Sequence, residues 1–421
     1  MYMDKSYLER IILDQSEDLK KINLGLTRNK LSELDMHIKS KVNIIITGVR
    51  RCGKSTLLLQ IMDKYYKNKF YYLRFADERL SDIQVEDYQK IYEVFLSNFN
   101  KNNIFFFDEI QGKLNWDKFV NRLYETGNKF YITGSNSELL SKEISTYLTG
   151  RHLDIELYPF SFKEYLDYKK INLDYRYTKN LLKIEKELNN YLKIGGFPQV
   201  VIENNTTLLE EIYEDIINKD ILLRYNINDV STFKKIALFL ISNVSKEFSY
   251  NSIKKMYNLG NSDTVRNYIY YLTNSYLLFE LTKYDPSLKK QESYGKKIYA
   301  IDTGLINKIA FGFSENIGRL YENLVFLELK RRNKKVYYWK SPLDLEIDFL
   351  ITDKGKVTSL IQVAYTLSDP RTKEREVKAL LSGLNEFKLK TGIIITNDLE
   401  KEEKIANKTI KFIPMWKWLL E

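Results

Sequence analysis

The residues whose types and spacing fit catalytic chemistry begin at Gly48, where the chain reads GVRRCGKS up to Ser55. This stretch fits the pattern G-x-x-x-x-G-K-[ST], in which a glycine-rich loop surrounds phosphate groups with backbone N–H groups. The residues Val42 to Ile46 before it, apolar except for Asn43, predict a buried strand, and the run TLLLQIM after it predicts a helix. Because a helix N-terminus carries a partial positive charge, the stretch predicts a phosphate-binding loop.

Two side chains of this loop are predicted to act on a bound nucleotide. Lys54 would reach the β- and γ-phosphates of ATP, and Ser55 would hold Mg²⁺. Cys52 is interpreted as a small filling residue of the loop rather than as a nucleophile. The residues predicted to bind the nucleotide are Gly48, Val49, Arg50, Arg51, Cys52, Gly53, Lys54, Ser55 and Thr56.

An acidic pair follows the next strongly apolar strand, in NIFFFDEIQ from Asn103 to Gln111. Asp108 would hold the Mg²⁺ ion, directly or through water, and Glu109 would polarise the attacking water. The alternative is a buried strand followed by a solvated acidic turn. The position of the pair downstream of a phosphate-binding loop favours the catalytic interpretation.

Two later positions have open interpretations. Ser135 or Asn136, at the end of the strand-like run KFYITGSNS, would contact the γ-phosphate or the attacking water, or would instead cap a helix starting ELLSKE. Arg151 follows Gly150 and precedes another strand-like run. It would contact a γ-phosphate in its own subunit or in a neighbour, as an arginine finger does, or be a surface arginine on a strand edge.

The composition limits the class of protein. A chain of 421 residues with 44% hydrophobic and 29% charged residues predicts a soluble protein of several domains. No run of the sequence is apolar enough for a membrane span, and the N-terminus lacks a signal-peptide core, so a cytoplasmic location is expected. One cysteine and two histidines exclude a disulfide framework and argue against structural zinc. The net charge of +10 permits nucleic-acid binding without establishing it.

Five motifs occur in the order ITGVRRCGKSTLL, FFFDEIQ, YITGSNSELL, YLTGRHLDIELYPFSFKEYL and YLKIGGFPQVV. Together they resemble a family of prokaryotic ATPases in the AAA+ superfamily, related to archaeal ATPases near the origin-recognition and signalling (STAND) branches. The resemblance spans nearly the whole chain and implies a winged helix and a C-terminal nuclease-like domain. In the signalling relatives a G-x-P motif in the helical lid lies near the nucleotide base. Gly196-Phe197-Pro198 fits that motif, which implies a contact between Pro198 and adenine.

The predicted fold is α/β, with four segments. Residues 1–160 are predicted to form a P-loop NTPase core of the AAA type, and residues 161–225 a helical lid. Residues 226–310 are predicted to form a winged helix, because three amphipathic helices precede two strands around a basic, flexible tip. Residues 311–421 are predicted to form a restriction-endonuclease-like α/β domain. The lysines predicted at the tip are Lys289, Lys290, Lys296 and Lys297, which would contact DNA unless the segment only couples to the nucleotide.

The order of elements in the C-terminal segment resembles the core of PD-(D/E)XK nucleases. In that family an acid on the second strand and an E-x-K motif on the third hold Mg²⁺ and activate water. Glu322, Glu346 and Asp348 align with the acids, whereas Gln362 replaces the usual glutamate and Ala364 the usual lysine. Because alanine can neither position nor deprotonate water, the domain is expected to bind or pack rather than to cut DNA.

These patterns predict an ATPase that needs Mg²⁺, hydrolyses ATP slowly and couples hydrolysis to double-stranded DNA, to a protein partner or to further copies of itself. The alternative is a STAND-like signalling switch, in which ATP changes the conformation of a protein-interaction module and DNA has no role. A hydrolysis rate that responds to DNA would favour the first function.

Overall fold

The computed structural model describes residues 3–67, 69–136, 150–310 and 317–421. The chain forms two compact units, Met1–Tyr158 and Pro159–Glu421. In the described ranges, no helix combines the length and apolar character needed to cross a membrane. The helix-capping interpretation of Ser135 and Asn136 depends on the segment ELLSKE, which lies outside the described residues.

The first unit is built around a parallel sheet of five strands in the order β2-β3-β4-β1-β5. The strands are β1 (Asn43–Thr47), β2 (Tyr71–Arg74), β3 (Ile104–Asp108), β4 (Lys129–Gly134) and β5 (His152–Glu156). Apolar residues 44–46 and 105–107 are fully buried, as expected for inner strands covered on both faces. All five carboxyl ends meet at one edge of the sheet, so the loops after β1, β3 and β4 lie together there.

Helices cover both faces of this sheet. Among the described residues of the first unit, the α-helices are Lys5–Leu19, Lys30–Glu33, Asp35–Ile38, Lys54–Ile61, Asp87–Asn98 and Trp116–Glu125, with a π-helical turn at Met62–Tyr66. On one face, Phe105 and Phe107 join a core that includes Leu8, Ile91 and Trp116. On the opposite face, Tyr66, just after the helix Lys54–Ile61, packs edge-on against Phe106. The alternation of the three phenylalanines in β3 therefore supplies both layers of the core.

The second unit contains two sheets. A small antiparallel sheet has the order β6-β8-β7, with β6 (Glu247–Phe248), β7 (Leu278–Thr282) and β8 (Lys296–Ala300). A mixed sheet of six strands has the order β13-β14-β12-β11-β10-β9. Its strands are β9 (Lys335–Lys340), β10 (Glu346–Asp353), β11 (Lys356–Val363), β12 (Thr391–Thr396), β13 (Lys401–Ile405) and β14 (Lys408–Pro414).

The described part of the second unit also contains many helices. They are Phe162–Tyr168, Thr178–Ile194, Pro198–Glu203, Leu208–Asp215, Val230–Ser242, Tyr250–Met256, Ser262–Asn274, Leu288–Ser293, Thr303–Ile309, Ile317–Arg331, Pro370–Glu386 and Met415–Leu420, with a π-helical segment at Ile216–Leu222. The first helix starts at a capping box, since the Ser161 hydroxyl accepts from Glu164 N and the Glu164 carboxylate accepts from Ser161 N. The α/β class and the parallel core are confirmed, whereas the winged-helix and nuclease-like assignments stay predictions.

The prediction that four lysines lie at a basic tip is wrong for two of them, Lys296 and Lys297. The segment between β7 and β8 contains the helix Leu288–Ser293, and only Lys289 and Lys290 of the four lysines are exposed. Lys296 is largely covered and lies 3.9 Å from Glu280. Lys297 is buried at 3% exposure and its amine contacts carboxylates. Both Lys296 and Lys297 belong to β8 and not to the connection between β7 and β8, so neither is at a tip. Because consecutive residues of a strand point to opposite sides, the two lysines contact different carboxylates.

Candidate nucleotide-binding site

The loop after β1 has a backbone that only glycine suits at two points. Gly48 has φ of 147°, and a Cβ there would lie 2.1 Å from the carbonyl oxygen of Leu157. Gly53 has φ of 100° and immediately precedes the helix that begins at Lys54. The strand, loop and helix therefore occur in the predicted order, with the helix N-terminus at the carboxyl edge of the sheet.

The amine of Lys54 is buried beneath this loop. Its Nζ donates to the carbonyls of Gly48 and Val49, each at 3.2 Å, and lies 3.5 Å from Glu109 Oε1. The lysine therefore carries its positive charge at the junction between the loop and the acidic end of β3. Phosphate groups bound by the loop would meet that charge. Cys52 is also buried, and burial raises the pKa of its thiol, which fits a filling role.

Ser55 and Asp108 come together across two elements. Ser55, in the first turn of the helix, donates a 3.0 Å hydrogen bond from Oγ to Asp108 Oδ1 at the end of β3. A hydroxyl and a carboxylate are oxygen ligands of the kind that Mg²⁺ takes. Burial and the charge of Glu109 raise the pKa of Asp108, against the hydrogen bonds from Thr133 and Ser55. A cation at this point would relieve that charge repulsion, so the residues present fit Mg²⁺.

Glu109 is held in a constrained conformation beside Lys54. Its φ is 55°, a left-handed conformation that is uncommon for a residue with a side chain. Burial alone would raise its pKa, but the charge of Lys54, the hydrogen bond from Gln111 and the charge of Arg50 together lower it. Glu109 is therefore ionised near neutral pH, as a proton acceptor must be.

Gln111 is a site residue that the sequence analysis did not identify. Its amide nitrogen donates to Glu109 Oε2 and, at 3.2 Å, to Ser135 Oγ. Its amide oxygen Oε1 is buried and finds no hydrogen-bond partner within the described part of the chain. A buried acceptor without a donor is rare in folded proteins. The orphaned oxygen lies on the side chain that orients Glu109, where a water molecule would satisfy it.

Thr133 is a second residue missed from the sequence. Its hydroxyl donates a 2.5 Å hydrogen bond to Asp108 Oδ1 and accepts one of 2.9 Å from Glu109 N. It lies in β4, the strand beside β3, which is where a polar sensor was predicted. The prediction named Ser135 or Asn136, which are both buried, and Ser135 Oγ accepts from Gln111. The hydroxyl that contacts Asp108 is two residues before Ser135, and the sensor role of Ser135 or Asn136 stays a prediction.

Arg28 is the third residue missed. Its buried guanidinium donates from Nη1 to the carbonyl of Cys52 and from Nη2 to the carbonyl of Tyr158, both at 2.7 Å. Its backbone N–H donates to Gln60 in the helix after the loop. The N-terminal segment therefore stabilises the phosphate loop through hydrogen bonds from Arg28. No motif marks Arg28, so only its contacts reveal the role.

Arg151 lies at the opposite edge of the sheet. Its carbonyl accepts from Asn43 N at the start of β1, five residues before the loop, which corresponds to roughly 16 Å of strand. Its Nη1 contacts Asn121 at 2.6 Å and Glu125 at 3.0 Å. The structure does not bring Arg151 together with the phosphate loop of the same chain. An action on a neighbouring subunit stays a prediction.

Pro198 belongs to the second unit, where it starts the helix Pro198–Glu203. The preceding glycines approach Asp302 closely: Gly196 N donates to Asp302 Oδ2 at 2.6 Å, and a Cβ on Gly195 would lie 1.9 Å from Oδ1. The glycines thus have a packing reason of their own. The contact of Pro198 with adenine, inferred from the resemblance, stays a prediction.

The acids of the C-terminal segment do converge. Glu322, Glu346 and Asp348 all lie within 3.3 Å of the amine of Lys297. Gln362 accepts from Asp348 N at 3.2 Å. Ala364 is buried in the core of the mixed sheet. Although Ala364 replaces the usual lysine, β8 supplies an amine at these acids.

Three family models match separate parts of the chain. A model described as "AAA domain" matches residues 40–166. Two models described as domains of unknown function, DUF8612 and DUF4143, match residues 185–316 and 317–418. The AAA match includes the phosphate loop, the acidic pair and Arg151.

Full-length relatives come from an archaeon and a bacterium. An uncharacterised protein of Methanocaldococcus jannaschii, MJ1544, is 38% identical over 442 residues, covering 99% of this chain and 96% of the relative. An uncharacterised protein of Haemophilus influenzae is 31% identical over 392 residues, covering 90% of this chain and 94% of the relative. Among solved structures, the Thermotoga maritima RuvB Holliday junction branch migration motor is 16% identical with a TM-score of 0.30. That match covers 65% of this chain and 93% of the RuvB chain.

Proposed function

This chain belongs to the same protein family as MJ1544 and carries an AAA domain, and from that premise we propose that it binds ATP with Mg²⁺ and hydrolyses it slowly. The observation that carries the proposal is the 3.0 Å contact between Ser55 Oγ and Asp108 Oδ1. Ser55 lies in the first turn of the loop helix, after the buried Lys54, and Asp108 lies at the end of β3.

Each residue of the site has a defined part in this function. The loop N–H groups and Lys54 bind and orient the phosphates, while Ser55 and Asp108 provide oxygen ligands for Mg²⁺. When bound, the metal would neutralise charge on the phosphate oxygens. Glu109 accepts a proton from the attacking water, and Thr133 fixes both acids through one hydroxyl.

Gln111 supports the proposal independently of the motif. Its amide nitrogen holds one carboxylate oxygen of Glu109, and its orphaned Oε1 offers an acceptor beside that carboxylate. A water that donates to both groups would be positioned for proton removal. Replacing Gln111 by leucine should therefore lower kcat for ATP while leaving ATP affinity nearly unchanged.

Two substitutions separate binding from catalysis. Lys54→Ala should remove most nucleotide binding, because the positive charge of the lysine that would attract the phosphates is lost. Glu109→Gln should retain ATP binding and slow turnover by roughly 10²–10⁴-fold, because the amide accepts no proton. Matched controls are Lys64→Ala and Glu93→Gln, which change the same residue types at exposed ion pairs with Asp35 and Lys5. Unchanged ATP affinity in Lys54→Ala would overturn the phosphate-loop assignment.

We propose further that hydrolysis is coupled to DNA or to a protein partner. The net charge of +10 supports DNA, whereas the burial of Lys297 and the pairing of Lys296 leave only two exposed lysines of the predicted wing. That loss favours the alternative of an ATP-switched interaction module. ATP hydrolysis measured with and without double-stranded DNA, at two salt concentrations, distinguishes the two functions. Stimulation that weakens with salt supports DNA coupling, and an unchanged rate with a nucleotide-dependent oligomer supports the switch.

A further inference from the structure

A buried amine lies at the centre of a cluster of carboxylates in the second unit. The Nζ of Lys297 is 2.9 Å from Glu322 Oε1, 2.5 Å from Glu346 Oε1 and 3.3 Å from Asp348 Oδ1. Three carboxylates from a helix and a strand therefore point at one atom of a different strand, β8. Lys297 is 3% exposed, so water has little access to its amine and competes weakly for these ion pairs.

The remaining hydrogen bonds fix the carboxylates in this orientation. The hydroxyl of Tyr299 donates to Glu322 Oε1 at 2.7 Å, and Val363 N donates to Asp348 Oδ2 at 3.0 Å. Lys340 Nζ lies 3.2 Å from the other oxygen of Glu346. Each of the three carboxylates thus has a second partner besides Lys297, and the cluster is preorganised around the position of the amine.

Three carboxyl groups and two amines make up the cluster. Three carboxylates face Lys297 and, on the outer side of Glu346, Lys340. Burial and the charge of Glu322 raise the pKa of Asp348 well above its usual value, although Lys297 opposes this shift. Burial would lower the pKa of Lys297, but Glu322, Tyr299, Asp348 and Glu346 together raise it, so the amine is protonated.

We propose that Lys297 is the resident cation of a three-carboxylate site, and that its amine closes this site to divalent metal ions. The amine occupies the point on which the three carboxylate oxygens converge. Among the described residues, no group of three or more acidic, histidine or cysteine side chains is arranged to hold a metal. With the amine at that point, a metal ion cannot occupy it.

The same amine connects two segments of the chain. Lys297 lies in the part that matches DUF8612, residues 185–316, whereas the three acids lie in the part that matches DUF4143, residues 317–418. Without Lys297, the three acids would repel one another with no amine between them. Of the three, Lys340 would contact only the outer oxygen of Glu346. Removing one partner of a buried ion pair is strongly destabilising because it leaves uncompensated charge. The positive charge that offsets all three acids of the C-terminal segment therefore comes from a residue outside that segment.

The contact distances indicate which metal would take the place of the amine. Oxygen ligands bind Ca²⁺ at about 2.3–2.6 Å and in flexible arrangements, but Mg²⁺ at about 2.0–2.1 Å with strict octahedral geometry. The distances from the Lys297 nitrogen to the carboxylate oxygens are 2.5–3.3 Å, so the oxygens would have to move inward less to bind Ca²⁺ than to bind Mg²⁺. Glu346 is 31% exposed on its side chain, which leaves a path from solvent. Ca²⁺ is therefore the probe.

The experiment uses the full chain with Lys54→Ala in every sample and no nucleotide, so that the phosphate loop contributes no metal site. Lys297→Met vacates the amine position while keeping an unbranched stem of similar length. Its melting temperature should fall by roughly 5 °C or more, and Ca²⁺ should restore much of that loss. The parent should show no shift with Ca²⁺. Adding Asp348→Asn to Lys297→Met should abolish the response.

Lys296→Met is the matched control. It removes the same charge from the neighbouring residue of β8, whose amine lies near Glu280 and Glu292 instead. Its melting temperature should respond to Ca²⁺ no more than that of the parent does. A response as large as that of Lys297→Met would show that calcium acts elsewhere and would overturn the proposal.

Two further results would contradict the proposal. Equilibrium dialysis could show that the parent, with Lys297 intact, binds Ca²⁺ or Mn²⁺ in a manner lost on Asp348→Asn. Lys297 would then accompany a metal rather than replace it. Alternatively, Lys297→Met could melt at the same lowered temperature with and without Ca²⁺. If this variant is recovered unfolded, refolding with Ca²⁺ but not without it supports the proposal, and failure in both conditions overturns it.

Discussion

The guanidinium of Arg28 donates a 2.7 Å hydrogen bond to the carbonyl of Cys52, in the middle of the phosphate loop. A second bond of 2.7 Å from the same group reaches the carbonyl of Tyr158. One buried side chain therefore connects the N-terminal segment, the loop and the end of the first unit. The conformation that the loop presents to phosphate depends on a residue outside the loop.

Arg28→Met should loosen this loop. Two buried carbonyls would lose charged donors, which predicts a loss of about 3 kcal/mol of stability. We expect ATP affinity to fall at least tenfold, roughly 1.4 kcal/mol, measured by titration with a fluorescent nucleotide. Lys21→Met, at an exposed position, is the control. A lowered melting temperature with unchanged ATP affinity would show that Arg28 stabilises the fold but does not shape the loop.

Thr133→Val tests the hydroxyl that contacts both acids. Valine has the same shape, but it cannot donate to Asp108 or accept from Glu109 N. We expect ATP binding to persist and kcat to fall about tenfold, or ~1.4 kcal/mol in the barrier. Thr126→Val removes a hydroxyl whose bond goes to the carbonyl of Leu123 and should leave kcat unchanged. Equal rates in both variants would mean that Thr133 only packs.

The sequence predicts the parallel core and most of the phosphate site because the signals there are local. Residues 44–46 and 105–107 are apolar without interruption, which indicates inner strands, and GVRRCGKS determines the loop between strand and helix. Ser55 and Asp108 could be paired in advance because both follow recognisable patterns. Their 3.0 Å contact lies where those patterns predict it.

The missed residues act over long separations in the sequence. Arg28 reaches Tyr158, and Lys297 reaches Glu346 and Asp348, through tertiary contacts that no local pattern records. The pair Lys296-Lys297 looks like a basic tip, but which of two adjacent strand residues faces the acids depends on the register of β8. Arg151 could have been placed better, since a residue before a parallel strand lies at the amino edge of the sheet.

Arg151→Ala should show whether Arg151 acts on ATP bound by a neighbouring subunit or has no part in hydrolysis. Within one chain its side chain contacts Asn121 and Glu125, at the amino edge of the sheet. We expect ATP affinity to be unchanged and hydrolysis to fall only under conditions in which the protein oligomerises. Mixing Arg151→Ala with Lys54→Ala should then restore some activity, because one mixed interface keeps both groups. Full activity of Arg151→Ala at every protein concentration would make it a surface residue.

Asp302 gives the second unit a pH dependence of known sign. Burial raises the pKa of Asp302 to about 6, against hydrogen bonds from Gly196 N and Leu305 N. A raised pKa means that the folded state favours the protonated acid, so its stabilising contribution is present below about pH 4 and lost as pH rises through 6. The shift of about two units corresponds to roughly 3 kcal/mol.

Asp302→Asn should therefore remove this dependence. We expect the difference in unfolding free energy between the parent and the variant to change between pH 4 and 6, with the parent losing stability relative to the variant. Asp285→Asn, at a less buried position, is the control and should show a smaller change. A constant difference across that range would show that Asp302 keeps an ordinary pKa and is ionised in the folded protein.

Lys289 and Lys290 decide whether the predicted wing touches DNA. They are the exposed lysines of the helix Leu288–Ser293, while Lys297 is held by three carboxylates and is unavailable to phosphate. If both contact phosphates, replacing them by alanine should weaken binding and reduce the slope of log K against log salt by about 1.8. Fluorescence anisotropy of labelled duplex at several salt concentrations measures that slope.

The control for this experiment is Lys20→Ala with Lys21→Ala, which removes the same two charges from an exposed site in the first unit. A general effect of net charge would lower affinity equally in both double variants, whereas a contact at the wing would change the slope only when Lys289 and Lys290 are replaced. Because each phosphate contact releases its own counterions, the slope counts contacts independently of any change in fold stability. An unchanged slope in the Lys289 and Lys290 variant would place DNA, if it binds, away from the wing.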